Sequence, residues 1–204
     1  MAIRWWVGAL GALALSGPAP LTLAEETRLT QVTPNLPIQN PLEHADALNQ
    51  QAVELFHAGQ YQEAVLLAEE VLAIVHEQVG NRHPYVATSL NNLAELYRAQ
   101  GRYGEAEPLY VEALSIRREQ LGNRHPDVAT SLDNLAELYR VQGRYGDAET
   151  LYEEALSIRH GQLGERHPNV ALSLNNLALL YYAQGRYGEA EPLYVEALAI
   201  WREQ

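Results

Sequence analysis

Between Pro84 and His125 the apolar residues fall at Val86, Ala87, Leu90, Leu93, Ala94 and Tyr97. After Gly101 they fall at Ala106, Leu109, Tyr110, Ala113, Leu114 and Ile116. Steps of three and four put each set on one face of an α-helix. The pattern predicts one helix opened by Pro84 and closed by Gly101, and a second that begins near Tyr103–Gly104 and is closed by Gly122. Pro108 and Pro192 lie close to the start of the second helix; Thr150 holds this place in the middle copy, so proline is not required there. Ala94, Ala106 and Ala113 leave the contact face without bulk, so the two helices can approach to the short end of the usual spacing of roughly 8–10 Å.

The unit then repeats. Shifting Pro84–His125 onto Pro126–His167 gives identity at 33 of 42 positions, and Pro168–Gln204 begins a third copy. A weaker first copy runs from about Pro41 to His83, with Gly59, Tyr61 and Ala64 in register with Gly101, Tyr103 and Ala106. A period of this length predicts an all-α solenoid of stacked helix pairs, in units of about 41–83, 84–125, 126–167 and 168–204. Asn40-Pro41-Leu42-Glu43 reads as the first helix start, with a capping Asn, Pro at the first helical position and Glu three residues after the cap.

The residues ahead of the array read differently. Arg4, the apolar run Trp5–Leu15 and the small residues Thr22 and Ala24 have the order of a secretory signal, with cleavage before Glu25. The apolar run is far short of the roughly 20 residues that span a bilayer as a helix. The expectation is an exported chain, periplasmic or extracellular, with an uncleaved N-terminal tether as the alternative. Residues 25–40, with Pro34 and Pro37 and no apolar period, read as a linker to the repeat domain at 41–204.

Composition narrows the chemistry. The chain has no cysteine, which excludes disulfides and thiolate metal sites. Its net charge of -12 argues against non-specific nucleic-acid binding. Twelve Tyr stand against one Phe and one Met, an imbalance that the repeat multiplies. His83, His125 and His167 recur, but equivalent residues of successive pairs lie two helix layers apart, about 16–20 Å, too far to share one metal ion. They read as loop residues that shape the turn before each Pro. No phosphate loop, nucleophile elbow or metalloprotease motif is present. The expectation is a protein with no catalysis, no cofactor and no bound metal.

The units resemble the tetratricopeptide repeat. Leu90, Leu93-Ala94, Tyr97, Ala106 and Tyr110 follow its pattern. They recur as Leu132, Leu135, Ala136, Tyr139, Ala148 and Tyr152, and as Leu174, Leu177, Ala178, Tyr181, Ala190 and Tyr194. The 42-residue length and the phrases Leu-Gly-Asn-Arg-His-Pro and Gly-Arg-Tyr-Gly-Glu-Ala-Glu are similar to the kinesin light chain class. The first copy departs, with Gln51 and Leu55 where the others have Leu and Tyr, as an atypical end repeat does. The signal-like N-terminus and the lack of a coiled-coil heptad speak against an actual motor subunit.

The resemblance implies a right-handed α-solenoid that holds an extended protein or peptide segment on a concave face lined by the first helix of each pair. On that helix the residues off the packing face are Thr88, Asn91, Asn92, Glu95 and Arg98. Their equivalents are Thr130, Asp133, Asn134, Glu137 and Arg140, then Leu172, Asn175, Asn176, Leu179 and Tyr182. The first copy contributes Asn49. A ladder of Asn side chains can both donate to and accept from a peptide backbone, or can serve as caps and inter-helix hydrogen bonds. Arg98 and Arg140 can grip carboxylates in forked geometry, or pair with Glu95 and Glu137 as ordinary ion pairs. Leu172, Leu179 and Tyr182 turn the stripe apolar towards the C-terminal end. There Tyr194, Leu198 and Trp201 sit on the last predicted helix with no further unit against them, and the alternative expectation is a structural subunit that self-associates, or caps a larger envelope assembly, through this end.

Overall fold

The computed structural model describes residues 40–203; the expected signal segment, its cleavage point and the linker up to residue 39 lie outside them. Eight α-helices follow one another: α1 (Pro41–His57), α2 (Tyr61–Val79), α3 (Pro84–Ala99), α4 (Tyr103–Leu121), α5 (Pro126–Val141), α6 (Tyr145–Leu163), α7 (Pro168–Ala183) and α8 (Tyr187–Arg202). No strand occurs among the described residues. Consecutive helices pair, and each pair packs on the next through its second helix. The first helices of successive pairs also touch, α3 with α5 and α5 with α7, so they form the inner wall of the array. No described helix is long and apolar enough to cross a membrane.

Local signals place the helix ends. His83, His125 and His167 are the N-caps of α3, α5 and α7; each accepts at Nδ1 a backbone hydrogen bond from two residues on, at 3.1–3.2 Å. The expected turn-shaping role is thus a specific one: the ring nitrogen substitutes for the usual Ser or Asp oxygen. Asn40 caps α1 by accepting from Leu42 N–H at 3.1 Å, and its amide donates to Glu43 at 3.2 Å. Gly101 takes φ 73°, and the next residue, Arg102, donates back to Tyr97 O at 2.9 Å, closing the end of α3. Pro108 and Pro192 are accommodated inside α4 and α8. In α6 the hydroxyl of Thr150 donates to Gly146 O at 3.1 Å.

The alanines behave as expected: Ala94, Ala106 and Ala113 are fully buried. Tyr110 packs in one cluster with Ala94 and Ala106, and Tyr152 in another with their counterparts Ala136 and Ala148, each tyrosine with at most 1% of its surface exposed. The first pair closes the array on its outer side with polarity. Gln51 and Glu54 are exposed at the places where later pairs bury Leu93 and Leu96.

Two arginines are buried in the seams between pairs. Arg117 of α4 donates to Ser131 Oγ at 2.6 Å, to Asp127 O at 3.4 Å and to Thr88 Oγ1 at 3.4 Å. Arg159 of α6 pairs with Asp133 Oδ2 and Ser173 Oγ, and reaches Thr130 Oγ1 at 3.5 Å. Each guanidinium therefore ties the first helix of its own pair to the first helix of the next. Burial pulls Arg117 down to about 10, partly offset by Asp127. Val75 occupies this place in the first seam. Trp201 occupies it on α8, where 42% of its surface is exposed.

A clip recurs outside the seam. Arg102, Arg144 and Arg186 stack over Tyr97, Tyr139 and Tyr181 at 4.2, 3.7 and 4.0 Å. Tyr139 donates to Glu107 at 3.0 Å while Arg144 donates to the same oxygen at 2.9 Å. Glu149 plays that part for Tyr181 and Arg186. Burial and this carboxylate together push Tyr181 up to about 12.

Candidate binding face

The inner wall is built from one stripe of each first helix, and neighbouring helices divide that stripe in two. Thr88 and Thr130 lie at its N-terminal edge, with their hydroxyls turned back to Pro84 O and Pro126 O. Asn91 and Asp133 are turned away from the open side of the stripe. They are 5% and 7% exposed, and their polar groups point into the seams. Asn91 donates to Ala87 O at 3.1 Å and to Ser131 Oγ at 3.5 Å, and Asp133 pairs with Arg159. Of the two uses expected of this row, these side chains take the inter-helix one: one step along a helix is about 100°, enough to move a side chain from the open wall under the next pair. Asn175 is half-buried at the same register.

The next position stays on the wall. Asn92 donates to Asn49 Oδ1 at 2.9 Å, so the first rung of the Asn ladder is a hydrogen bond between pairs. A shallow notch lies beside it, lined by Asn49, Ala52, Val53, Asn92 and Leu96. Asn134 and Asn176 continue the row as half-buried side chains.

Below them runs a chain of charges. Glu95 accepts from Arg98 Nε at 2.9 Å and from the Tyr110 hydroxyl at 2.8 Å. Glu137 accepts from Arg140 at Nε and Nη2, both at 2.7 Å, and from the Tyr152 hydroxyl at 3.0 Å. Arg98 Nη1 reaches forward to Glu137 at 3.8 Å, linking α3 to α5. The ion-pair alternative for the arginines is therefore realised within the protein. Burial alone would raise Glu137, but Arg140, Tyr152 and Arg98 hold its carboxyl below the usual range. Burial works against the Arg98 charge as well, and the hydrogen bond and charge of Glu95, with Tyr110 and Glu137 adding to them, together more than offset it.

At α7 this chemistry stops. Leu172 is half-buried, Leu179 is 42% exposed and Tyr182 is 59% exposed, and the Tyr182 ring rests against Tyr187 at 5.2 Å. The expected apolar end of the stripe is open to solvent. The tyrosine hydroxyls at Tyr110 and Tyr152 were legible only as core rings. The signal that they do more is the choice of Tyr over Phe throughout the repeat.

The tetratricopeptide repeat family model matches residues 43–119, 85–159 and 127–203. No curated protein matches the sequence. Among solved structures, the chain is similar to the crystal structure of BtubC (BKLC) from P. vanneervenii, at 26% identity and TM-score 0.71 over 88% of this chain and 70% of that one. It is also similar to a putative kinesin light chain with nearly identical TPR-like repeats from Podosopora anserina, at 31% identity and TM-score 0.69 over 81% and 78% of the two chains. A single-substitution form of that protein matches at 30% identity and TM-score 0.70, over the same shares of the two chains. With matched segments spanning all four helix pairs, the chain belongs to the tetratricopeptide repeat family, carries repeats of the kinesin light chain type, and has the architecture of a protein–protein interaction scaffold.

Proposed function

We propose that this chain is an exported, non-catalytic adaptor that holds an extended segment of a partner protein along the inner wall of its first helices. The observation that carries the reading is the run of half-buried Asn134 and Asn176 with exposed Leu179 and Tyr182 across α5 and α7, where amides and apolar side chains follow one another along the stripe. Amides at this spacing serve a partner's backbone, and the exposed Leu and Tyr shelter its side chains. Export rests on the order of Arg4, Trp5–Leu15 and Ala24.

Two measurements check this. Full-length chain used as bait on the exported fraction is expected to retain a partner that the double variant Asn134→Ala, Asn176→Ala holds about thirtyfold less tightly, each lost amide contact removing about 1 kcal/mol. Unchanged affinity would mean that the segment lies elsewhere. The intact mass of exported chain is expected to correspond to a start at Glu25, and retention of the first 24 residues would refute cleavage.

A further inference from the structure

Each pair meets the next through a stripe of its second helix that runs in steps of four and three. On α8 this stripe is Tyr187, Glu191, Tyr194, Leu198 and Trp201. Its counterparts on α4 and α6 are covered by the following pair. Tyr110 and Tyr152 are at most 1% exposed, Arg117 and Arg159 at most 3%, and Glu107 and Glu149 each accept from an arginine of the following pair. On α8, with no described helix beyond it, Tyr187 is 60% exposed, Leu198 47% and Trp201 42%, and Glu191 is exposed as well. The Tyr187 ring rests on Tyr182, which holds that end of the stripe in place.

The protein's own first pair does not fit this face. Where α3 buries Leu93 and Leu96, α1 presents exposed Gln51 and Glu54, and where Tyr139 and Arg144 meet Glu107 it has Leu55 and Gln60. Head-to-tail stacking would set polar side chains on Leu198 and Trp201 and leave Glu191 without a cation. The face does fit itself. Its positions are symmetric about Tyr194, with Tyr187 and Trp201 seven residues to either side and Glu191 and Leu198 between. Trp201 also stands where the inner pairs have a buried arginine that Ser131 or Ser173 must satisfy, so apolar cover suffices here. The stripe exposes roughly 350 Å² of apolar surface, the size of patches that mark interaction sites. Two such faces with their polar rims reach about 1,200 Å², the lower end of stable interfaces.

We propose that two copies of this chain pair through α8, the helices antiparallel about a two-fold axis at Tyr194. Tyr187 of each copy then lies against Trp201 of the other, and the two Tyr194 rings meet at the centre. Steps of four and three keep one stripe of each helix in contact along the crossing. The contact is isologous, so it closes on itself and stops at two copies. The charge of -12 on each copy is screened beyond about 8 Å at physiological salt, and the stripe itself carries one carboxylate, Glu191, opposite Leu198 of the second copy. None of the five residues lies on a first helix, so the inference stands apart from the inner-wall reading, and the pair carries two inner walls.

Light scattering of the full chain over a range of concentrations is expected to approach twice the single-chain mass. Trp201→Glu and Leu198→Glu are expected to weaken the association about tenfold, and Glu191→Leu, which makes the stripe wholly apolar, to strengthen it about tenfold. A gain of this kind cannot come from a variant that fails to fold. Because the chain has no cysteine, Tyr194→Cys places a single thiol in each copy. A short bis-maleimide is expected to join two such chains, and to leave Gln51→Cys chains single. A single-chain mass at every concentration overturns the proposal, as does a mass that grows past two chains. So does association that is unchanged in Trp201→Glu and Leu198→Glu, that Glu191→Leu fails to strengthen, or that leaves the Tyr194→Cys chains unlinked.

Discussion

Replacing Arg159 with methionine is expected to lower the unfolding free energy by about 3–5 kcal/mol, the usual cost of leaving one member of a buried ion pair alone. Asp133, 7% exposed, would keep its position under α7 with no cation beside it, and Ser173 would lose its partner as well. Methionine keeps the length of the stem, so the effect reports the lost charge more than a cavity. Adding Asp133→Asn is expected to recover more than half of the loss. The chain already contains such a seam: Val75 stands in the arginine's place and Asn49 in the aspartate's. Urea unfolding of the two single variants and the double variant checks this. Additive losses would show that Asp133 and Arg159 are not coupled.

Asp133 also sets a pH dependence of unusual sign. Burial raises its carboxyl from an ordinary value of 3.8 to about 6, with Arg159 only partly opposing the rise. Between those two values the folded chain holds the proton and the unfolded chain has released it. Stability therefore falls as pH rises through this window and levels off above it, by about 3 kcal/mol for a shift of that size. Glu137 and Glu149 act in the opposite direction: their carboxyls are held low when folded, so their contribution is present near neutrality and is lost on acidification through and below the ordinary carboxylate range. The chain is expected to gain stability from about pH 7 to about pH 5 and to lose it at more acid values. In Asp133→Asn the gain should vanish while the acid loss remains. Urea midpoints at a series of pH values measure both, and superimposable profiles would rule out a buried, proton-holding Asp133.

The buried arginines show why part of the site was not legible. Arg117 and Arg159 lie next to Ile116 and Ile158, on helices whose exposed side is rich in Glu and Arg, and nothing in their spacing sets them apart from surface cations. Likewise Asn91 and Asn92 are adjacent, both polar and both on the inner half of α3. Only the position of α5 decides that the first is covered and the second is not. The Glu95–Arg98 and Glu137–Arg140 pairs were legible, because a spacing of three on a helix brings such side chains together without help from any neighbour. The link from Arg98 to Glu137 was not, since it crosses between pairs.

What the amino-acid order determined by itself is the array. A local three-and-four apolar rhythm makes each helix one-sided, glycines at Gly101 and Gly122 and prolines at Pro84 and Pro126 set the ends, and repetition obliges each pair to cover its apolar side with the next. What only the tertiary structure decided is which polar side chains of the inner stripe remain available. That depends on the angle at which one pair lies on another, and a difference of one residue moves a group from water into a seam where it must find an internal partner.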